Sequence, residues 1–337
     1  MNIGFSSHYE GYGGARTWIR NFSQYCISKG HKVSFGCDPT VDVFCSVANL
    51  SKIQELEIIK KNNIKILQRL GAIYLNYNYP DINLTKTKNK NLMDLIMYSD
   101  SIIYQSIFSK TVLFNSLYNG KEPNGNIIYN STNTSMFNPI IPPLDKKPKN
   151  KKLIIAVAYW GTPNTATYSM EIFLKIADMY RYNKDIEFWV LGRGYKKQVN
   201  LINKSNNPII TKKNLYDPID YRLMPQYLRT ADLILHLKAN EACSNLVIES
   251  MHTGTPLVGI GSGSLPELVN DAALLASCKP NLTSFPEVDI RDLKEKIDIT
   301  LANLDLYKNK MLERAKFFSA SNTYDKYLVK LKNLVNE

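Results

Sequence analysis

Two glutamates eight residues apart, Glu241 and Glu249, bracket the small polar stretch Ala242-Cys243-Ser244-Asn245, and glycines follow at 254, 259, 261 and 263. An ionised carboxylate is an acceptor-only group and suits paired sugar hydroxyls. Leu246, Val247, Ile248 and Met251 recur at helical spacing, which predicts a helix over Ser244–His252 with Ser244 as its N-cap. The first N–H groups of such a helix, at Ser244, Asn245 and Leu246, have no partner within it and carry positive potential, so that end suits a phosphate. On this reading Glu249 grips a ribose and Glu241 reaches another sugar across the phosphates. His236-Leu237-Lys238 lies directly upstream, at a strand end. A basic group there stabilises a departing diphosphate electrostatically. The competing reading, Glu249 on a solvated helix face and Glu241 as a cap, leaves the glycine-rich continuation without a purpose.

Gly13-Gly14-Ala15-Arg16 forms a second constellation, between a strand and a helix. Glycines there let a backbone approach an anion at the helix N-terminus. Taken alone the signal is weak. It is not a full Gly-x-Gly-x-x-Gly pattern and lacks an acid at the end of the next strand, so a tight strand-to-helix turn explains it equally well.

These groups need elements to hold them. Asn2–Ser6 reads as a strand, residues 11–14 as a glycine turn, Ala15–Ser28 as a helix ending before Gly30, and Val33–Phe35 as the next strand. Val41–Val47, Ile64–Leu67, Ile102–Gln105 and Ile127–Tyr129 are further buried strands. Prolines at 139, 142, 143 and 148, with a lysine cluster over 146–152, mark a linker at 138–151. A second alternation comes next: strands Leu153–Val157, Ile186–Leu191, Ile209–Ile210, Leu233–Leu237 and Leu257–Gly259, with Met170–Tyr180 among the helices. The tail from Leu301 to Val335 is helical by period. The expected fold class is α/β, with two doubly wound domains facing one another across a cleft.

The bulk properties set bounds. The chain of 337 residues has length for two cores, and 44% hydrophobic with 21% charged residues is ordinary for a globular protein. The net charge of +12 favours phosphorylated ligands, anionic membranes or nucleic acid. The lysine cluster reads as a solvated linker or a patch for anionic lipid. Basic residues are spread along the chain, and no recognition-helix or zinc-finger pattern is present, so no nucleic-acid partner is expected. Cysteines 26, 37, 45, 243 and 278 show no Cys-x-x-Cys pair, and the sequence has no Asp-x-Asp pair; no metal is expected. No signal peptide or bilayer-spanning run is evident, so the expected location is cytoplasmic, peripheral to a membrane at most.

Residues 226–276 resemble the nucleotide-sugar site of glycosyltransferase family 4, the retaining enzymes with the GT-B two-domain fold. Glu241 and Glu249 match the family's Glu-x7-Glu pair. GluSerMetHisThrGlyThrProLeuVal (249–258) matches the helix and turn beyond it, and residues 263–269 match Gly-x-Leu-Pro-Glu-Leu-Val. Bacterial polysaccharide members often carry His-x-Lys ahead of the first acid, as at 236–238. Gly13-Gly14 resembles the donor-diphosphate loop, Gln68-Arg69-Leu70-Gly71 an acceptor-side loop, and Tyr104-Gln105-Ser106 and IleTyrAsnSer (128–131) also agree. Family members usually hold the donor phosphates with an Arg and a Lys after the first strand of the second domain. Residues 158–168 contain neither.

The resemblance implies a metal-independent, cofactor-free transferase that moves a sugar, with retention, from a nucleoside-diphosphate sugar (UDP- or GDP-) to a glycan, lipid-linked or protein acceptor. The catalytic group would be Glu241, Lys238 and His8. The donor would be held by Gly13, Gly14, Arg16, Arg193, Ser244, Asn245, Leu246 and Glu249, with Lys238, Arg193 or Arg16 supplying the missing charge. Arg69 and Gln105, with His8, would face the acceptor. Residues 1–145 would form the acceptor domain and 151–310 the donor domain, with 311–337 a helical tail returning to the first domain. Alternatives are a catalytically silent GT-B subunit, a nucleotide-sugar epimerase, a phosphorylase and, more distantly, a DNA-modifying protein.

Overall fold

The computed structural model describes every residue except 12, 72, 146, 158–160 and 214–216. The first sheet holds β1 (Asn2–Phe5), β2 (Lys32–Phe35), β3 (Val43–Val47), β4 (Lys65–Arg69), β5 (Ser101–Tyr104) and β6 (Asn126–Ile127). All pairings are parallel, in the order β2-β1-β3-β4-β5-β6. Every residue of β3, Val-Phe-Cys-Ser-Val, is buried, as a parallel strand covered on both faces requires. The covering helices include α1 (Gly14–Ser28), α2 (Ile53–Lys61) and α3 (Ile82–Met97); a π-helical stretch, Phe108–Phe114, runs into α4 (Asn115–Tyr118).

The second sheet contains β7 (Lys152–Val157), β8 (Ile186–Leu191), β9 (Ile210–Lys213), β10 (Leu233–His236), β11 (Leu257–Ile260) and β12 (Leu274–Ala276). Its order is β12-β11-β10-β7-β8-β9, again parallel throughout. Helices α5 (Pro163–Met179), α6 (Lys196–Ser205), α7 (Met224–Thr230), α8 (Asn245–Thr253) and α9 (Leu265–Val269) accompany it. A small hairpin of β13 (Cys278–Lys279) and β14 (Glu287–Val288) precedes α10 (Ile290–Ala302), α11 (Leu304–Ala315) and α12 (Ala320–Asn336). In each sheet the winding reverses beside its first strand, between β1 and β3 and between β7 and β10. Ligands of such sheets bind beyond the carboxyl ends of the strands at that reversal.

The expected architecture of two doubly wound units across a cleft is the one observed. Several local expectations change. β9 extends to Lys213 because it is the sheet edge, where polar Thr-Lys-Lys faces solvent without penalty. α5 begins at Pro163 rather than Met170; proline is well placed in a first turn, and small Thr165, Ala166 and Ser169 bury easily. The tail is not one helix. It breaks at Asn303 and at Lys316–Phe318, a turn of 3₁₀ helix, and α8 starts at Asn245. Lys147 and Lys151 of the linker pair with Asp232 and Glu187, fastening it to the second unit; Lys146 lies outside the described residues.

α12 returns to the first unit. Tyr324, Tyr327, Leu328, Leu331 and Leu334 join the core around Ile3, Trp18 and Phe22. The Trp18 and Tyr327 ring centroids are 4.9 Å apart, and those of Phe22 and Tyr324 5.3 Å. Among the described residues no helix is long and apolar enough to cross a membrane.

Candidate functional site

β10 ends at His236, which is buried beneath the cleft, and two glycines fix the chain beyond it. A Cβ on Gly259 of β11 would lie 2.8 Å from the His236 carbonyl oxygen and 2.5 Å from Leu265 Cδ2. Gly263 has φ +68°, and a Cβ there would lie 2.6 Å from the backbone nitrogen of Glu241. The Ser264 N–H donates to the Glu241 carbonyl at 2.9 Å. The glycine-rich segment therefore clamps the backbone of the turn that carries Glu241.

Within that turn, Lys238 Nζ is 2.6 Å from Glu241 Oε1. His236 Nε2 lies 3.0 Å from Ser244 Oγ and 3.1 Å from Glu241 Oε2. The second contact has the separation of an ion pair without a hydrogen bond's geometry, since Oε2 is buried without a hydrogen-bond partner. Burial lowers the His236 pKa to about 4 against the pull of Glu241, so the imidazole is neutral near pH 7. Burial pushes the Glu241 carboxyl upward, but Lys238 and then His236 outweigh it and hold the group below its ordinary value. The result is an ionised carboxylate with one oxygen on an ammonium and the other buried beside His236 and Ser244.

Three helix N-termini converge on this turn. α1 starts behind Gly13, whose φ of 107° side chains rarely adopt; α5 starts behind Thr162 and α8 behind Ser244. None has a side-chain cap: the Ser244 hydroxyl turns to His236 instead of its own helix. The leading N–H groups of α1 and α8 thus remain available to an anion, whereas α5 opens on Pro163, which has none, and Asn164, whose N–H donates to the Asn78 carbonyl at 3.3 Å. Asn245 Nδ2 donates to the Gly14 carbonyl at 3.3 Å, so the ends of α1 and α8 meet. A cavity of about 370 Å³ lies between the units, lined by Gly13, Gly14, Gly161, Thr162, Lys238 and Glu241 among others.

The first unit contributes a buried polar floor at the ends of β4 and β5. Arg69 Nη2 donates to Gln105 Oε1 at 2.8 Å and to Asn130 Oδ1 at 2.5 Å. Asn130 Nδ2 crosses the cleft to Asn245 Oδ1 at 2.8 Å and the Cys243 carbonyl at 3.2 Å. Arg69, Gln105 and Asn130 all line the cavity.

Other expected residues do not converge there. His8 is half exposed, stacks on Tyr9 and meets Phe35 edge-on, away from the cavity lining. Arg16 reaches the lining, but its Nη1 donates to the carbonyls of His8 and Glu10 at 2.8 and 2.6 Å and so holds its own loop. Arg193 is exposed on a separate surface depression beside Lys196. Ser244, Asn245, Leu246 and Glu249 lie off the lining as well. Glu249 is 4% exposed, and Tyr221 donates its phenol to Oε1 at 2.8 Å. Burial raises Glu249 to about 7, partly offset by that hydrogen bond. The two carboxylates of the pair therefore occupy different surroundings, because eight residues is more than two helical turns and α8 begins between them. Of the stretch 158–168, residues 158–160 lie outside the described residues. Tyr221 is a functional candidate that spacing did not single out; Asn130 and Glu267 stood only within the IleTyrAsnSer and Gly-x-Leu-Pro-Glu-Leu-Val matches.

Residues 152–303 match the family described as Glycosyl transferases group 1. This segment is a group 1 glycosyltransferase domain. Among solved structures, sucrose-phosphate synthase from Thermosynechococcus elongatus is similar to the chain, with TM-score 0.75 and 13% identity over 99% of this chain and 98% of that one. Anabaena HepE, solved in complex with UDP and glucose, has TM-score 0.70 and 13% identity over 99% and 100%. Trehalose 6-phosphate synthase from Burkholderia multivorans has TM-score 0.65 and 11% identity over 89% and 73%. At these identities the likeness is one of fold, and that fold is GT-B. No curated protein sequence matches the chain significantly. The enzyme class, glycosyltransferase, rests on the group 1 domain, which contains β10, Glu241, α8 and the glycine clamp.

Proposed function

We propose that the protein transfers a sugar from a nucleoside-diphosphate sugar to a glycan, lipid-linked or protein acceptor, with retention and without a metal, as a family 4 type enzyme. Residues 151–310 bind the donor and residues 1–145 the acceptor. The observation that carries this reading is the meeting of the uncapped ends of α1 and α8 beside the Lys238–Glu241 pair. The diphosphate takes the helix N-termini, where oriented N–H groups stabilise charge that grows as the leaving group departs. Glu241 accepts a hydroxyl of the donor sugar once the donor displaces one of its present partners, and its charge steadies the anomeric carbon. Glu249 takes the ribose once Tyr221 moves aside. The leaving phosphate helps accept the acceptor's proton, so positioning rather than a strong base does the work. The setting is cytoplasmic, with the basic surface near anionic lipid.

Calorimetry and thermal shift with UDP-, GDP-, ADP- and dTDP-sugars and their bare nucleotides test the reading, UDP first because HepE was solved with it. A ligand at a hundred times its dissociation constant stabilises the fold by about 2.7 kcal/mol. One nucleotide is expected to do so, Glu249→Ala to weaken it, and a chelator to leave turnover unchanged. Failure of all the nucleotides to bind would favour the silent-subunit alternative.

A further inference from the structure

The cations of the cleft are unequally committed. Lys238 is neutralised by Glu241. Arg16 is partly open to water and bound to two carbonyls. Arg193 is outside the cavity. Arg69 differs from all three. It is 1% exposed yet lines the cavity, and among the described residues it joins no ion pair. Its Nη2 meets the neutral oxygens of Gln105 and Asn130, its remaining polar neighbour is the neutral Tyr327 phenol, and its Nε is buried with no partner. Its guanidinium carbon sits 4.5 Å from the centre of the Trp18 ring, which lends a little compensation. A buried charge without a counter-charge costs stability, and such groups are found where an anion completes them.

The position of Arg69 names the anion. Through Asn130, its guanidinium is one side chain away from Asn245, the first residue of α8, whose own amide reaches Gly14 at the start of α1. No Arg or Lys occurs over residues 158–168. Resting on the nucleotide-sugar reading above, we infer that Arg69, from the first domain, supplies the buried cation for the donor's diphosphate. It completes across the cleft the anion seat that the helix ends begin. This moves Arg69 from the acceptor side to the donor, and a bidentate guanidinium fork suits phosphate oxygens there.

The test compares wild type, Arg69→Met and Arg69→Lys by calorimetry with inorganic pyrophosphate, UDP, GDP, ADP, dTDP and the parent nucleosides, together with the melting temperature of each free protein. Arg69→Met is expected to weaken the bound diphosphate by about tenfold to a hundredfold, the range for a lost charged hydrogen bond. It should leave the nucleoside unaffected and raise the melting temperature of the free protein, while Arg69→Lys recovers part of the affinity. Unchanged diphosphate affinity in Arg69→Met overturns the inference, and a raised acceptor KM in that variant returns Arg69 to the acceptor. Equal losses for nucleoside and diphosphate with a lower melting temperature make the residue structural, which also overturns it. A wild type that binds none of these probes refutes the nucleotide-sugar reading itself.

Discussion

Single residues of the site titrate in opposite directions, and that is measurable. Glu249 has a pKa of about 7 in the fold against an ordinary 4.5, so between those values the folded protein keeps a proton that the unfolded chain has released. Stability then falls as pH rises across that window, by up to about 3 kcal/mol. His236, lowered to about 4 from 6.5, does the reverse: the unfolded chain takes up a proton that the fold refuses, and stability falls as pH drops below about 6.5. From about pH 4.5 to 6.5 the two oppose one another. Glu249→Gln should therefore gain stability over wild type as pH rises from 5 to 7, measured by urea denaturation, and a pH-independent difference would contradict the assignment. Much at this scale was legible in the sequence. His236, Lys238, Glu241 and Ser244 are close in the chain, so strand and helix periodicity alone brings them together. The chain from Arg69 through Asn130 to Asn245 was not legible, because its links span 61 and 115 residues and no local pattern joins them.

At the scale of elements, glycine positions decide whether the site exists. Gly263→Ala forces a side chain into positive φ and drives its Cβ against the Glu241 backbone. The expected outcome is a stability loss of about 1–3 kcal/mol by chemical denaturation, with turnover falling more than nucleotide affinity, since the helix ends are untouched. Equal loss of both would mean that the clamp serves the whole domain and not the carboxylate. The sequence marked β10, α8 and the glycine turn because their patterns are sharp. It named no helix at α3, whose Thr and Asn residues propagate helix poorly and whose buried face is only Thr85, Leu92, Leu95 and Ile96. It shortened β9 because an edge strand does not show a buried strand's apolar run.

For the whole molecule, the two units are fastened around the cleft. Glu267 of α9 accepts from the backbone N–H groups of Ile107 and Phe108 at 3.0 and 2.8 Å and from the Tyr129 phenol at 2.7 Å. A carboxylate from the group 1 domain thus caps the start of the π-helical stretch of the first unit, a favourable helix-dipole contact. α12 supplies the other tie. Tyr327→Ala should cost about 3–5 kcal/mol, the range for a truncated buried aromatic, and lower the melting temperature of the first unit before that of the second. A single unshifted transition would show that α12 is dispensable to that core.

That last tie has a consequence for how the protein is made. Chains emerge from the ribosome first residue first, and domains ordinarily fold in the same order. Here the wall of aromatic rings around Trp18 and Phe22 lacks its final layer until Tyr324 and Tyr327 have been synthesised. The first-made half must wait with apolar surface uncovered, while every strand of the later half is already available to pair. The last helix to be made therefore completes the first core to be made.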